Sequence, residues 1–115
     1  SLSAETTFES NVATLDELSP VLERLSARVA ERLERAQRAG QTVVLKLKTA
    51  DFKLRTRSAT LAAPTRRAEV IAEAGQTLLA REIDGTRFRL LGIGVANLAD
   101  ADEADPPDML EGFSG

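Results

Sequence analysis

Basic and apolar side chains alternate along residues 42–61, and this pattern points most directly to a chemistry. The basic residues are Lys46, Lys48, Lys53, Arg55 and Arg57, and the apolar residues between them are Val43, Leu45, Leu47, Phe52 and Leu54. Side chains two apart share a face of a β-sheet, so the pattern predicts two strands with an apolar face on the core and a basic face in water. Such a basic face suits a polyanion. Alternatively, it is a solvated face whose charges deter aggregation.

The composition excludes several classes of site. The 115 residues are enough for one domain with a single core. The absence of histidine and cysteine removes the commonest general base, the commonest metal ligand and every Ser/His or Cys/His nucleophile. Asp51 and Glu69 are isolated carboxylates, and no pair is assignable as acid and base or as a metal site. We therefore predict no catalytic residue, no metal site and no cofactor in this chain.

The charge is distributed unevenly. The net charge is −3, yet residues 100–115 hold six acids and no base, which leaves 12 of the 18 acids and all 15 bases in residues 1–99. We predict a basic folded domain over 1–99 and an acidic, disordered tail or linker over 100–115. No apolar run reaches the length of a membrane span, and Ser1 in place of an initiator methionine indicates a piece excised from a longer protein.

The remaining patterns predict one more strand before the hairpin, one after it, and two helices. A first strand covers 5–12 with Phe8 in the core, and Thr14 with Glu17 forms a capping box that opens the first helix. This helix ends at Gly40 and buries Leu18, Leu22, Leu25, Val29, Leu33 and Ala36. The second helix begins at Pro64 and Thr65 and buries Val70, Ile71, Ala74 and Leu78. Its Gly75 reflects either a close helix–sheet approach or a functional constraint.

The last strand is predicted over 87–97. Its inward residues are Leu91, Ile93 and Val95, and its other face is the unusually small set Leu90, Gly92, Gly94 and Ala96. The order β-α-β-β-α-β predicts an α+β fold, a four-stranded antiparallel sheet with two helices on one face and the other face open. The open face would carry the basic residues, and its small strand would let a ligand or polymer backbone come close.

Four segments, in this order and spacing, resemble one known family. They are SLSAETTF at 1–8, VVLKLKTADF at 43–52, TRSATL at 56–61 and RFRLLGIGVANL at 87–98. The chain resembles the little-finger domain of Y-family translesion DNA polymerases, of the bacterial DNA polymerase IV type. The resemblance implies a non-catalytic module of a cytoplasmic DNA-directed DNA polymerase, working beside palm, fingers and thumb domains. It also implies that magnesium belongs to the parent enzyme.

In that family the sheet lies along the primer–template duplex and holds mainly its phosphodiester backbone. The resemblance implies DNA contacts from Ser1, Ser3, Lys46, Lys48, Arg55, Arg57, Ser58, Thr60, Arg87 and Arg89. The basic alternation adds Lys53 to this predicted set. Arg89 has core parity if Leu91 points inward, so its contact would come from the edge of the sheet. Phe8 and Phe52 are assigned to the core, which leaves stacking on single-stranded bases poorly supported.

Several alternatives remain open. Arg24, Arg28, Arg32 and Arg35 share one side of the first helix, either as a solvated face with Glu31 paired to Arg35 or as a second DNA site. Met109, Leu110 and Phe113 form either a sliding-clamp-binding segment or part of an interdomain linker. For the whole domain, the rival functions are a protein-interaction module and an RNA-binding domain of ferredoxin-like type.

Overall fold

The computed structural model describes residues 2–106. Its elements are β1 (Leu2–Val12), α1 (Leu15–Ala36), β2 (Arg38–Thr49), β3 (Leu54–Thr65), α2 (Ala68–Ala80), β4 (Phe88–Asp100) and a short 3-10 helix (Ala101–Glu103). The four strands form one antiparallel sheet in the order β1-β4-β2-β3. Both helices pack on one face, so the predicted α+β fold with an open sheet face is confirmed.

The first helix begins as predicted and ends differently. The Thr14 side chain accepts a hydrogen bond from the Glu17 amide at 3.3 Å and donates to its carboxylate at 2.8 Å. The predicted stripe from Leu18 to Leu33 is buried, but Ala36 is exposed. The helix is capped by Gln37, whose φ of 55° is left-handed, so the prediction that Gly40 ends the helix is wrong.

Gly40 instead lies in β2 and Gly75 in α2, and both are places of close approach. A Cβ on Gly40 would lie 2.5 Å from Cβ of Val95. A Cβ on Gly75 would collide with the Ile93 Cδ1 atom of the sheet and lie 3.2 Å from a Leu22 methyl group. Of the two readings of Gly75, the structure supports the close helix–sheet approach.

The second helix starts later than predicted, because Pro64 and Thr65 still belong to β3. Proline fits there since β3 is an edge strand that needs no amide donor on its outer side. Ile71 and Leu78 are buried as predicted, together with Leu79, while Val70 and Ala74 are half-buried. Phe8 is also half-buried, packed against the edge of the core.

The predicted orientation of the second strand of the hairpin is wrong. Phe52 and Leu54, expected in the core, are 65% and 56% exposed. Leu54 lies opposite Lys48, and Arg55 and Arg57 lie opposite the buried Leu47 and Leu45. Directly paired residues share a face, so Arg55 and Arg57 stand on the helix side of the sheet, and their predicted place on the open face is wrong.

The acidic segment begins as part of the fold. Asp100 ends β4, and Asp105 accepts a hydrogen bond from the Thr65 hydroxyl at 2.5 Å while its amide donates to the Pro64 carbonyl at 2.9 Å. The expected disorder therefore does not apply to residues 100–106. The domain division at residue 99 remains a prediction, and residues 107–115 lie outside the described part of the chain.

Candidate nucleic-acid interface

The open face of the sheet is defined by the strand register. Its members, from β1 through β4 and β2 to β3, are Ser3, Glu5, Thr7, Leu90, Gly92, Gly94, Ala96, Thr42, Val44, Lys46, Lys48, Leu54, Thr56, Ser58 and Thr60. Of the residues predicted to contact DNA, Ser3, Lys46, Lys48, Ser58 and Thr60 therefore share this face. Lys46 and Lys48 are half-buried, whereas Ser58 and Thr60 are exposed.

The small residues of β4 form the floor of a groove of about 240 Å³ along this face. Gly94 lies opposite Ser3, and a Cβ there would be 2.8 Å from the Leu2 carbonyl oxygen. Only glycine therefore fits this part of the floor. The close approach of a ligand or polymer backbone to this strand stays a prediction.

An ion pair that the sequence analysis missed crosses the groove. Gly92 lies between Glu5 and Lys46 in the register, and because it has no side chain the two charged groups meet above it at 3.3 Å. Both side chains remain about half exposed, at 52% and 43%. Glu5 thus offsets one of the two lysines of the open face.

Arg55 and Arg57 share a carboxylate on the other side of the sheet. Their guanidinium groups lie 3.3 and 3.2 Å from the two oxygens of Glu82, whose side chain is 11% exposed. Arg55 also lies over the buried ring of Phe88, 5.5 Å from its centroid, and donates to Thr86 at 3.1 Å. This arginine pair stabilises the join between β3 and the end of α2. No local pattern marks Glu82, because it lies far from β3 in sequence.

A polar cluster occupies the end of the open face next to Ser58 and Thr60. The Asn97 side-chain amide donates to the Thr42 hydroxyl at 2.6 Å, and that hydroxyl lies 3.4 Å from the hydroxyl of Thr60. Asn97 has a left-handed φ of 54°. Hydroxyl and amide groups of this kind can contact phosphate without adding charge.

The opposite end of the sheet is rich in positive charge, and we call it the cationic end. It comprises residues 48–53 and 87–90, which contain the four cations Lys48, Lys53, Arg87 and Arg89 and one acid, Asp51. Thr49 donates a hydrogen bond to Asp51, which lowers the pKa of this carboxyl, and Lys53 lies 3.7 Å away. Asp51 thus stays ionised in the turn and offsets only Lys53.

A β-bulge aims Arg89 at this end. Lys48 pairs with Leu90 but Thr49 pairs with Phe88, so Arg89 is the extra residue of β4. The bulge places Phe88 in the core and leaves the Arg89 guanidinium 4.1 Å from the centroid of the exposed Phe52 ring. Arg89 therefore lies at one end of the sheet because of a bulge, which simple alternation does not reveal.

The arginine stripe on α1 is partly engaged within the domain. Arg35 pairs with Glu31 at 3.4 Å, as predicted, and Arg32 donates to the Ser3 backbone oxygen. Arg24 and Arg28 are exposed. These contacts favour a solvated helix face over a second DNA site.

Metal-binding groups and membrane-spanning helices are both absent from the part of the chain that the structure describes. Within residues 2–106, no group of three or more acidic, histidine or cysteine side chains could hold a metal ion. In the same range, no helix combines the length and apolar character needed to cross a membrane. Ser1, Met109, Leu110 and Phe113 lie outside the described residues, so their predicted contacts are untested.

With this geometry established, comparison with known proteins identifies the family. The model of the impB/mucB/samB family C-terminal domain matches residues 1–107. The chain belongs to this family. It is 60% identical over 111 residues to DNA polymerase IV 1 of Mesorhizobium japonicum and 54% identical over 111 residues to DNA polymerase IV of Brucella melitensis. Each match covers 96% of this chain and 25% of the relative, so this C-terminal domain spans about a quarter of the curated relatives.

Solved structures share the fold of the family domain. The little finger domain of PolIV in complex with the beta-clamp processivity factor matches with a TM-score of 0.67 and 19% identity, covering 84% of this chain and 88% of the other. The Dbh DNA polymerase in a post-insertion binary complex matches with a TM-score of 0.69 and 12% identity, covering 86% of this chain and 29% of the other. The resemblance to little-finger domains is confirmed at the level of fold.

Proposed function

We propose that this domain holds the sugar–phosphate backbone of primer–template DNA for a Y-family translesion DNA polymerase of which it is the C-terminal module. The main support is the arrangement of the open sheet face. Small residues of β4 lie there between lysines and hydroxyl groups, and the cationic end adjoins them. Backbone contacts fix position without reading bases, which suits an enzyme that must move along any sequence. The family match and the relatives named DNA polymerase IV support this proposal.

The corrected positions change which residues we assign to DNA. Lys46, Lys48, Lys53, Arg87 and Arg89 are retained for phosphate, with Ser3, Ser58 and Thr60 as neutral donors. Ser1 is retained from the resemblance alone. Arg55 and Arg57 are not assigned, because both guanidinium groups lie on Glu82 on the helix side of the sheet. We assign polymerisation, its magnesium ions and a cytoplasmic location to the parent enzyme.

A salt series tests this proposal. Binding of a labelled blunt DNA duplex, followed by fluorescence anisotropy, should weaken with salt at a log–log slope of roughly −4 for four to five neutralised phosphates. Replacing Lys46 and Lys48 with glutamate should weaken binding and reduce the slope by about 2. Removing the competing acid by Glu5→Gln should strengthen binding, because Lys46 is then unpaired.

The matched control carries the same charge change on the other layer. Arg24→Glu with Arg28→Glu alters two exposed cations of α1 and should leave the affinity close to wild type. Equal losses in the sheet and helix variants would show that only net charge matters and would contradict an open-face site. Strong competition by single-stranded RNA would favour the RNA-binding alternative. If the wild-type domain binds no DNA, the protein-interaction module becomes the favoured function.

We also propose the sliding clamp as a partner, through Met109, Leu110 and Phe113. The support is an apolar cluster within an acidic sequence, a composition suited to docking in a partner's groove. Co-elution of the chain with a bacterial beta-clamp should be lost when Met109 and Leu110 are replaced by alanine. Unchanged co-elution would favour the linker reading of this segment.

A further inference from the structure

Phe52 occupies a position in the β2–β3 turn where an aromatic residue is unfavourable. The Phe52 amide donates to the Thr49 carbonyl at 2.9 Å, and the Thr49 amide donates to the Lys53 carbonyl at 2.8 Å. This is a three-residue loop whose last position, Phe52, has a left-handed φ of 67°. Such loops usually place glycine there, because L-residues with a side chain are strained in this conformation. The turn itself therefore gives no reason for a phenylalanine.

Burial does not explain this residue either. Phe52 remains 65% exposed even with the Arg89 guanidinium stacked over its ring, and the neighbouring Leu54 is 56% exposed. Strained residues persist where the surrounding structure holds them, and they cluster at functional sites. The two hydrogen bonds of the turn and the bulge at Arg89 together hold the ring in place at the surface. The Phe52 ring is therefore fixed at the surface before any ligand binds.

The charge around the ring indicates its ligand. The cationic end holds four cations and one acid, so a polyanion is favoured over a basic or neutral protein surface. A flat aromatic ring with a guanidinium stacked on it is suited to stacking with a nucleobase. Because Phe52 lies at the surface and not in the core, an aromatic ring is available for base stacking after all.

We propose that Phe52, positioned by Arg89, is a stacking site for an unpaired DNA base next to the duplex. This inference rests on the proposed function, because the open face must hold the adjoining duplex. Stacking of one base on an aromatic side chain is expected to strengthen binding about tenfold. The contribution should appear with a duplex that carries a single-stranded overhang and be absent with a blunt duplex.

Fluorescence gives a direct test, because the chain contains no tryptophan or tyrosine. Phe52→Trp introduces a single emitting residue at the site. Its emission should be quenched in a saturable way by overhang DNA and much less by blunt duplex. Leu15→Trp is the matched control, since Leu15 is an exposed apolar residue at the start of α1, and its emission should not change. Equal quenching of both variants by overhang DNA would overturn the proposal.

A second variant separates a binding role from a structural one. Phe52→Gly suits the left-handed backbone, so its melting temperature should not fall, while its affinity for overhang DNA should fall about tenfold. Arg89→Ala should weaken binding of the overhang DNA more than binding of the blunt duplex. With the blunt duplex, only one phosphate contact is lost. A lower melting temperature with unchanged overhang affinity would make Phe52 a structural residue and overturn the inference.

Binding by the wild-type chain distinguishes failure of the stacking site from failure of the proposed function. Blunt-duplex binding that is independent of Phe52, with no added affinity for the overhang, overturns the stacking site and leaves the proposed function intact. Failure of the wild type to bind either DNA overturns the proposed function and the stacking site together.

Discussion

Replacing Glu82 tests most directly whether Arg55 and Arg57 stabilise the fold and do not bind DNA. Glu82→Ala removes a carboxylate that is 11% exposed and lies 3.3 and 3.2 Å from the Arg55 and Arg57 guanidinium groups. The variant leaves the Arg55 and Arg57 guanidinium groups, the first of which lies over the buried ring of Phe88, without their counter-charge. We expect the domain to be destabilised while its DNA affinity stays unchanged, since neither arginine is on the open face.

The size of the effect follows from the exposure of the three partners. Removing one member of a fully buried ion pair costs about 3–5 kcal/mol, and an exposed pair contributes about 0–1 kcal/mol. Here the carboxylate is nearly buried, but the arginine side chains are 26% and 49% exposed and can turn toward water. An intermediate value of about 2 kcal/mol is expected, which lowers the melting temperature of a domain of this size by roughly 8–16 °C.

Urea unfolding followed by far-UV circular dichroism measures this free energy. The matched control is Glu73→Ala, which removes an exposed glutamate from α2, the helix that ends just before Glu82, and should change stability by less than about 0.5 kcal/mol. Combining Glu82→Ala with Arg55→Ala should cost less than the sum of the single changes. Strict additivity, or equal losses for the Glu82 and Glu73 variants, would refute the assigned ion-pair network.

Two further predictions concern packing and pH. Gly75→Ala should destabilise the domain by about 1–3 kcal/mol by overpacking against Ile93, and Ile93→Val, which lacks the colliding Cδ1 atom, should recover part of that loss in the double variant. Additive melting-temperature changes would contradict this. The Thr86 hydroxyl and amide lower the pKa of Asp84 below its usual 3.8, so its stabilising contribution is present above that pH and is lost as the pH falls through the folded value. Asp84→Asn should therefore flatten the fall of the urea midpoint between pH 5 and pH 2, and an unchanged acid limb would contradict it.

The sequence predicts this fold well where hydrophobic periodicity is long. The stripe from Leu18 to Leu33 and the alternation of Leu91, Ile93 and Val95 both reach the core as expected. Each pattern extends over several repeats, so a single exception does not change its phase. Strand β2 is predicted for the same reason, because three buried residues alternate with its lysines.

The open face is predicted less well because its phase depends on one short turn. Phe52 and Leu54 look like the start of an inward alternation, but the loop takes Phe52 and the register places Leu54 opposite Lys48. A one-residue change of phase moves every following side chain to the other face. The apolar residues Ala59 and Leu61, which share parity with Arg57, contain the correct signal further along the strand. The Arg89 bulge and the distant Glu82 have no comparable signal.

The place of β4 between β1 and β2 has a consequence for how this domain folds. Within residues 2–106, β1 is the first strand and pairs only with β4, the last, so that Leu2 meets Val95. During synthesis the first strand therefore has no partner until nearly the whole domain has left the ribosome. Local pairing of β2 with β3 and packing of the helices can precede it, but the sheet closes only at the end. Closure through such distant contacts is slow, so we expect the final step to limit the folding rate.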